Sequence, residues 1–176
     1  MSLNGSGRSL RAPLAALLLL GSGCATVPGT GRTQLLLVTK SQENRLGLKA
    51  WDQILAKERI SKDTQAAKLV TKVGRRIAKV AKRPDFKWEF KLIDSDQANA
   101  FCLPGGKIAV YTGLLKYTQD EDGLAAVIGH EVAHAIARHG GERLSQGMVA
   151  DVGAKAVAQA LGRGEPKTVK FVHGAL

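Results

Sequence analysis

The chain has 176 residues, a length that suits one domain with a sizeable hydrophobic core. Its formal net charge of +11 favours anionic surfaces, such as membrane headgroups or polyanions. The basic residues are spread along 57–91 without interleaved aromatic residues or a recognised nucleic-acid module, so a solvated helical surface explains them better and no nucleic-acid partner is expected.

Residues 1–23 have the features of a secretory signal. Arg8 and Arg11 precede an apolar run at 14–20 that is too short to span a bilayer, and small residues then lead to Cys24. This order resembles a bacterial lipobox, although Gly21 stands where an aliphatic residue is usual. Cys24 is therefore expected to be the lipidated first residue of the mature protein, and an ordinary cleaved signal is the alternative. With Cys102 as the only other cysteine, no structural disulfide is expected.

Residues 24–33 are predicted to be a Gly/Pro linker, and residues 34–176 to form the domain. A short strand is predicted at Gln34–Val38, and alternating apolar residues predict another at Phe86–Ile93. Pro104-Gly105-Gly106 predicts a turn that joins the two arms of a hairpin, Ala98–Leu103 and Lys107–Tyr111. Apolar residues at helical spacing predict helices at Ser41–Lys57 (with Ser41 as N-cap), Asp63–Lys82, Glu121–His139 and Arg143–Leu161. Helices, then strands, then helices are typical of an α+β domain.

The sequence His130-Glu131-Val132-Ala133-His134 predicts a metal site. Residues four apart on a helix lie on one face, so the two imidazoles are positioned to bind one Zn²⁺. Glu131 is adjacent and is expected to act as general base on a water molecule, as in zinc peptidases. An apolar stripe that includes Leu124 and Ile128 predicts that the helix is packed into the core, which disfavours a chance match on an exposed helix.

Two longer segments carry a resemblance to a known family. They are Asn99-Ala100-Phe101-Cys102-Leu103-Pro104-Gly105-Gly106, continuing to Thr112-Gly113-Leu114-Leu115, and His130 to His139. Together they resemble the HtpX and CAAX-prenyl-protease-like zinc metallopeptidases, in particular their bacterial periplasmic lipoprotein branch. The resemblance implies a helix-rich, zincin-like α+β domain with a small antiparallel sheet. It also implies that His130 and His134 bind Zn²⁺, that Glu131 is catalytic, and that Asn99, Ala100 and Phe101 lie on an edge strand that pairs with an extended polypeptide substrate.

The chain departs from this family in its third zinc ligand. Such peptidases use a glutamate from a later Glu-x-Glu-Ala-Asp-like segment, and this sequence contains no such segment. Glu142, Asp151 and Glu165 are the carboxylates that follow the motif, and none is well placed in sequence. His139 is out of register for a third histidine, so pairing within the fold or contact with solvent is expected for it. We therefore expect a peptidase domain whose C-terminal part is missing.

Two classes of function follow from these features. The first is a zinc endopeptidase that hydrolyses misfolded or damaged envelope proteins and is anchored in the periplasm, by a lipid on Cys24, to the outer membrane. The second is a catalytically impaired module that binds unfolded polypeptide without cleaving it. The sequence predicts no oligomeric state.

Overall fold

The computed structural model describes residues 24–27 and 30–161. The strands are β1 (Cys24–Thr26), β2 (Thr33–Leu35), β3 (Glu89–Ile93), β4 (Ala100–Leu103) and β5 (Lys107–Tyr111). The helices are α1 (Lys40–Lys57), α2 (Thr64–Ala81), α3 (Leu115–Thr118), α4 (Glu121–Ile136) and α5 (His139–Ala160), with a 3-10 turn at Thr112–Leu114. The α+β class predicted from the sequence is confirmed.

Side-chain caps fix the starts of the two helices that precede the sheet. Thr39 caps α1, because its hydroxyl accepts a hydrogen bond from Gln42 N at 3.2 Å, while Thr39 N donates to Gln42 Oε1 at 2.7 Å. The prediction of Ser41 as N-cap is therefore wrong. Asp63 caps α2 by accepting hydrogen bonds from two backbone amides, as its position in the sequence suggests. α2 ends at Ala81, and Lys82 takes a left-handed conformation before Pro84.

The main sheet has the strand order β3-β5-β4 and is mixed. β5 runs antiparallel to β4, with Ala100 opposite Val110, but parallel to β3, with Glu89 opposite Lys107. The predicted hairpin is confirmed, and its turn uses Gly105 and Gly106 at positive φ, a conformation that favours glycine. The predicted small antiparallel sheet is present as the β4–β5 pair, and β3 extends it on the other side of β5 by parallel pairing.

Helices cover both faces of this sheet. On one face, α2 and α4 enclose a core whose buried members are Val70, Val73, Leu92, Ala100, Cys102, Ile108, Val110, Leu124, Ile128 and Val132. On the other face, α1 covers Trp51, Ile93, Phe101, Leu103, Ala109 and Tyr111. The motif helix α4 is thus packed against the sheet along its Leu124–Ile128–Val132 stripe, which keeps its opposite side free for chemistry.

The predicted linker contains ordered structure that packs on the domain. β1 pairs with β2 in an antiparallel hairpin, and the segment that follows β2 is held on α5. Leu37 N donates to the buried hydroxyl of Ser145 at 2.8 Å, and that hydroxyl donates to Gly141 O at 2.7 Å. The proposed signal, residues 1–23, lies outside the described residues. Within the described part of the chain, no helix has the length and apolar character needed to cross a bilayer.

The junction between α4 and α5 differs from the prediction. The motif helix ends at Ile136 rather than at His139, and Arg138 adopts a left-handed φ of 60°. Gly140 and Gly141, which lie between the two helices predicted from the sequence, are inside the first turn of α5. The break moves to Arg138 because its side chain is drawn into a buried ion pair with a residue of α1, a long-range contact that local sequence does not reveal.

Candidate functional site

His130 and His134 project from the same side of α4. Asp120 fixes the start of this helix by accepting a hydrogen bond from Gly123 N at 2.8 Å. One turn separates the two histidines, and their Nε2 atoms are 2.9 Å apart. A tetrahedral zinc ion with bonds of 2.0–2.1 Å separates two nitrogen ligands by about 3.3 Å. The two imidazoles therefore converge in a way that fits a shared divalent cation.

Glu131 is half-buried and lines the same cleft as the two histidines. The cleft has a volume of about 140 Å³, and Cys102, Leu103 and Pro104 also line it. A carboxylate next to two converging imidazoles has the composition required for metal-assisted hydrolysis with a general base. A larger but shallow groove of about 670 Å³ follows the outer face of α2, where threonine, alanine and basic side chains line it without any His, Cys, Asp or Glu.

Strand β4 forms an open edge of the sheet beside this cleft. Asn99 O accepts a hydrogen bond from Tyr111 N, so alternation along the antiparallel ladder turns the backbone groups of Ala100 and Cys102 away from β5. Neither of these residues has another backbone hydrogen bond among the described residues. The unpaired edge of β4 thus lies at the position that the sequence analysis proposed for substrate.

The side chains of β4 have different positions relative to the cleft. Phe101 is buried beneath α1, with edge contacts to the rings of Trp51 at 6.5 Å and Tyr111 at 6.2 Å, and its backbone groups face Ala109 of β5 rather than the open edge. Asn99 precedes the strand. Cys102 lines the cleft, and burial raises the pKa of its thiol to about 12. That thiol stays protonated near neutral pH, which fits its interpretation as a small hydrophobic residue rather than a nucleophile.

His139 lies against His134, the second of the two predicted metal ligands. Its Nδ1 atom is 2.5 Å from Nδ1 of His134, and the two ring centroids are 4.7 Å apart. Burial and the neighbouring His134 lower the pKa of His139, which favours a neutral imidazole at pH 7. Its position depends on the left-handed residue before it, so spacing within the motif alone did not place it.

A buried ion pair, absent from the sequence analysis, forms one end of the cleft. Arg138 donates from Nε to Glu43 Oε2 at 2.9 Å, from a terminal nitrogen to Glu43 Oε1 at 3.0 Å, and to Val38 O at 2.8 Å. The Glu43 side chain is only 7% exposed. It lies so close to Gly141 that a Cβ atom there would be 1.6 Å from Glu43 Oε1. A glutamate in the first turn of an amphipathic helix gives no sign of burial, so its partner was not identifiable from sequence.

The carboxylates that follow the motif are engaged elsewhere or lie beyond the structure. Arg32 donates to both carboxylate oxygens of Glu142, at 2.8 and 2.5 Å, and this hydrogen bonding lowers the pKa of Glu142. Asp151 pairs with Lys155 at 3.1 Å on α5. Glu165 lies outside the described residues. In residues 24–27 and 30–161, no group of three or more His, Cys, Asp or Glu side chains is arranged to hold a metal.

Cys24, the residue proposed for lipidation, is exposed at the start of β1. It is the first described residue, and its neighbour Ala25 pairs with Gln34 of β2. The hairpin therefore places the proposed anchoring point directly next to the folded domain.

Comparison with known proteins links this arrangement to a family. The model described as "Peptidase family M48" matches residues 64–171. The chain is 37% identical over 122 residues to mitochondrial metalloendopeptidase OMA1 of Schizosaccharomyces pombe. The matched segment is 68% of this chain and 36% of that protein. It is 32% identical over 125 residues to metalloendopeptidase OMA1 of Bos taurus, a match that covers 67% of this chain and 24% of that protein. It is 26% identical over 139 residues to the beta-barrel assembly-enhancing protease of Escherichia coli K12, a match that covers 75% of this chain and 28% of that protein. The chain thus spans little more than a third of the first of these relatives.

Proposed function

Because this chain belongs to peptidase family M48, we propose that it is a zinc-dependent endopeptidase. His130 and His134 are the proposed zinc ligands, and Glu131 is the proposed general base. The observation that carries this proposal is the convergence of the two Nε2 atoms, 2.9 Å apart, in a cleft that also contains Glu131 and adjoins an open strand edge. Relatives named as metalloendopeptidases support the same class of reaction.

Each element of the cleft has a role in the proposed hydrolysis. Zinc, when bound, supplies the Lewis acidity that activates water and polarises a peptide carbonyl. Glu131 accepts a proton from the attacking water and returns it to the leaving amine, which keeps the proton balance within the site. The backbone groups of Ala100 and Cys102 hold the substrate in an extended conformation, which presents one peptide bond at a time to the cleft.

We propose that the third zinc ligand comes from outside the described residues. Glu142 is occupied by Arg32, and Asp151 by Lys155, so neither is free to turn toward the histidines without losing an ion pair. Catalytic zinc sites normally use three protein ligands. The absence of a third ligand in the described part of the chain favours, as a second candidate, a module that binds unfolded polypeptide along β4 without cleaving it.

We also propose a bacterial envelope location and misfolded envelope proteins as substrates. The signal-like residues 1–23 and the exposed Cys24 support export and lipid anchoring to the outer membrane. The name of the Escherichia coli relative, a beta-barrel assembly-enhancing protease, supports an envelope role. An edge strand that pairs through backbone atoms favours substrates whose own backbone is unpaired.

Removal of either histidine is expected to abolish specific zinc binding. His130→Ala and His134→Ala each delete one of the two converging side chains, and loss of even a residue that only hydrogen-bonds to a metal ligand weakens metal binding by about 10–100-fold. We expect a decrease larger than this, measured by zinc titration against a chromophoric chelator. Glu131→Gln is the control and should keep the affinity of the unmodified protein. Unchanged zinc affinity in both alanine variants would contradict the assignment of the site.

Replacing Cys24 tests the proposed anchor. The unmodified protein is expected to fractionate with membranes, and Cys24→Ser should release it into the soluble fraction or leave its signal uncleaved, because serine has no thiol to lipidate. Cys102→Ser is the matched control, since that thiol is buried and should not affect fractionation. Detection of the unmodified protein only in the soluble fraction would argue against a lipid anchor.

A further inference from the structure

The geometry points to His139 as a positioning residue that orients His134 for metal binding. We propose that Nδ1 of His139 accepts a hydrogen bond from Nδ1–H of His134, which leaves the Nε2 lone pair of His134 directed at the metal. This inference rests on the proposed function, because it assigns a role in the same site. It concerns a residue that is not itself a metal ligand.

The two nitrogen atoms of His134 are in two different contacts. Nε2 faces His130 Nε2 at 2.9 Å, and Nδ1 faces His139 Nδ1 at 2.5 Å. His139 therefore approaches the edge of the ring that is turned away from His130. In this arrangement His139 cannot be a third ligand beside the two Nε2 atoms, but it lies within hydrogen-bond distance of His134 Nδ1.

The chemistry of imidazole makes this contact directional. A neutral histidine carries one N–H and one lone pair, so a ring that binds metal through Nε2 must carry its proton on Nδ1. Metal-binding histidines usually donate that second N–H to a carboxylate, carbonyl or water, and this fixes both tautomer and ring orientation. The two carboxylates nearest this end of the cleft are already engaged, Glu43 by Arg138 and Glu142 by Arg32. The ring of His139 is the group that meets Nδ1 of His134.

The fold is built so that His139 reaches this position. On an unbroken helix, residues five apart would lie about 140° apart around the axis, and the two rings would not meet. Arg138 prevents this by taking a left-handed conformation, so that α5 starts at His139 in a new direction. The bidentate contact of Arg138 with Glu43 and the buried Ser145 hydrogen bond hold that turn in place.

Substitutions that differ in reach test the proposal. The amide of asparagine lies near the position of histidine Nδ1, whereas the amide of glutamine lies nearer that of Nε2. His139→Asn should therefore retain an acceptor for His134, and its zinc affinity should stay within about threefold of the unmodified protein. His139→Gln and His139→Leu should lose about 10–100-fold in zinc affinity. Thermal unfolding of the metal-free proteins is measured in parallel, because a merely structural role would lower stability without separating Asn from Gln.

A second measurement reads the hydrogen bond itself. Two-dimensional ¹⁵N correlation spectra of the imidazoles distinguish a proton on Nδ1 from one on Nε2, and His134 should carry it on Nδ1 in the unmodified protein and in His139→Asn. The inference would be overturned if His139→Gln and His139→Leu bound zinc as tightly as the unmodified protein does. It would also be overturned if His134 carried its proton on Nε2. A failure of the unmodified protein to bind zinc would instead contradict the proposed function, and the spectrum of the metal-free protein would still decide the tautomer.

Discussion

Glu131→Gln is expected to lower the rate of protein hydrolysis by about 10²–10⁴-fold, the contribution typical of a positioned general acid–base group. Glutamine keeps the size and hydrogen-bonding ability of the side chain but cannot accept the proton of the attacking water. Zinc binding should be unaffected because Glu131 is not a proposed ligand. The measurement is the initial rate of cleavage of fluorescently labelled casein, together with the zinc content of each protein.

Asp122→Asn is the matched control for this experiment. Asp122 lies in the first turn of the same helix and is exposed, so its substitution also removes one carboxylate from α4 without altering the cleft. Its rate should match that of the unmodified protein. Equal rates for Glu131→Gln and the control would exclude Glu131 as the general base.

Casein cleavage by the 176-residue chain itself separates the two candidate functions. Catalytic zinc sites normally use three protein ligands, whereas residues 24–27 and 30–161 contain no cluster of three metal-binding side chains. Robust cleavage by this chain that a chelator inhibits would show that a ligand is supplied within it or by a second subunit. Retention of unfolded casein without cleavage would favour the binding module.

Gly141→Ala is expected to destabilise the fold by roughly 3–5 kcal/mol, comparable to removal of one partner from a buried ion pair. A Cβ atom at this position would be 1.6 Å from Glu43 Oε1, so the carboxylate must move away from Arg138. Arg138→Ala should destabilise by a similar amount, because it leaves the Glu43 carboxylate buried without its counter-ion. Urea denaturation followed by circular dichroism measures the free energy of unfolding of each variant.

The adjacent glycine provides the control. Gly140→Ala meets no atom within 4 Å, and alanine has a higher helix propensity than glycine by about 0.5–1 kcal/mol. This variant should be as stable as the unmodified protein or slightly more stable. Equal stability of the two alanine variants would show that the close contact with Glu43 does not support the fold.

Features encoded by neighbouring residues were predictable from the sequence. α1 and α2 follow from apolar residues at helical spacing, and the β4–β5 hairpin follows from Pro104-Gly105-Gly106 between apolar segments. The apolar stripe through Leu124 and Ile128 predicted that α4 packs into the core, and both side chains are fully buried. Each of these elements depends on a local signal, either the helical spacing of apolar residues or a turn sequence.

Features that depend on distant contacts were not predictable. The parallel pairing of β3 with β5 depends on which side of β5 receives β4, and no local pattern specifies that choice. The end of α4 is set by the attraction of Arg138 to Glu43, 95 residues away, rather than by the glycines that follow. The contact of His139 with His134 is a consequence of that same turn, so the sequence indicated the two histidines proposed to bind metal but not the contact of His139 with one of them.

The shortness of β4 limits what the open edge can bind. The strand has four residues, and only Ala100 and Cys102 direct their backbone groups outward, so an incoming segment finds two N–H donors and two C=O acceptors. Long, unprotected edges promote pairing between copies of a protein, and short edges reduce that risk. Four backbone hydrogen bonds do not discriminate between side chains, and they are too weak to unfold a folded protein. An enzyme with such an edge would act on segments that another process has already left unfolded, and would release its products quickly.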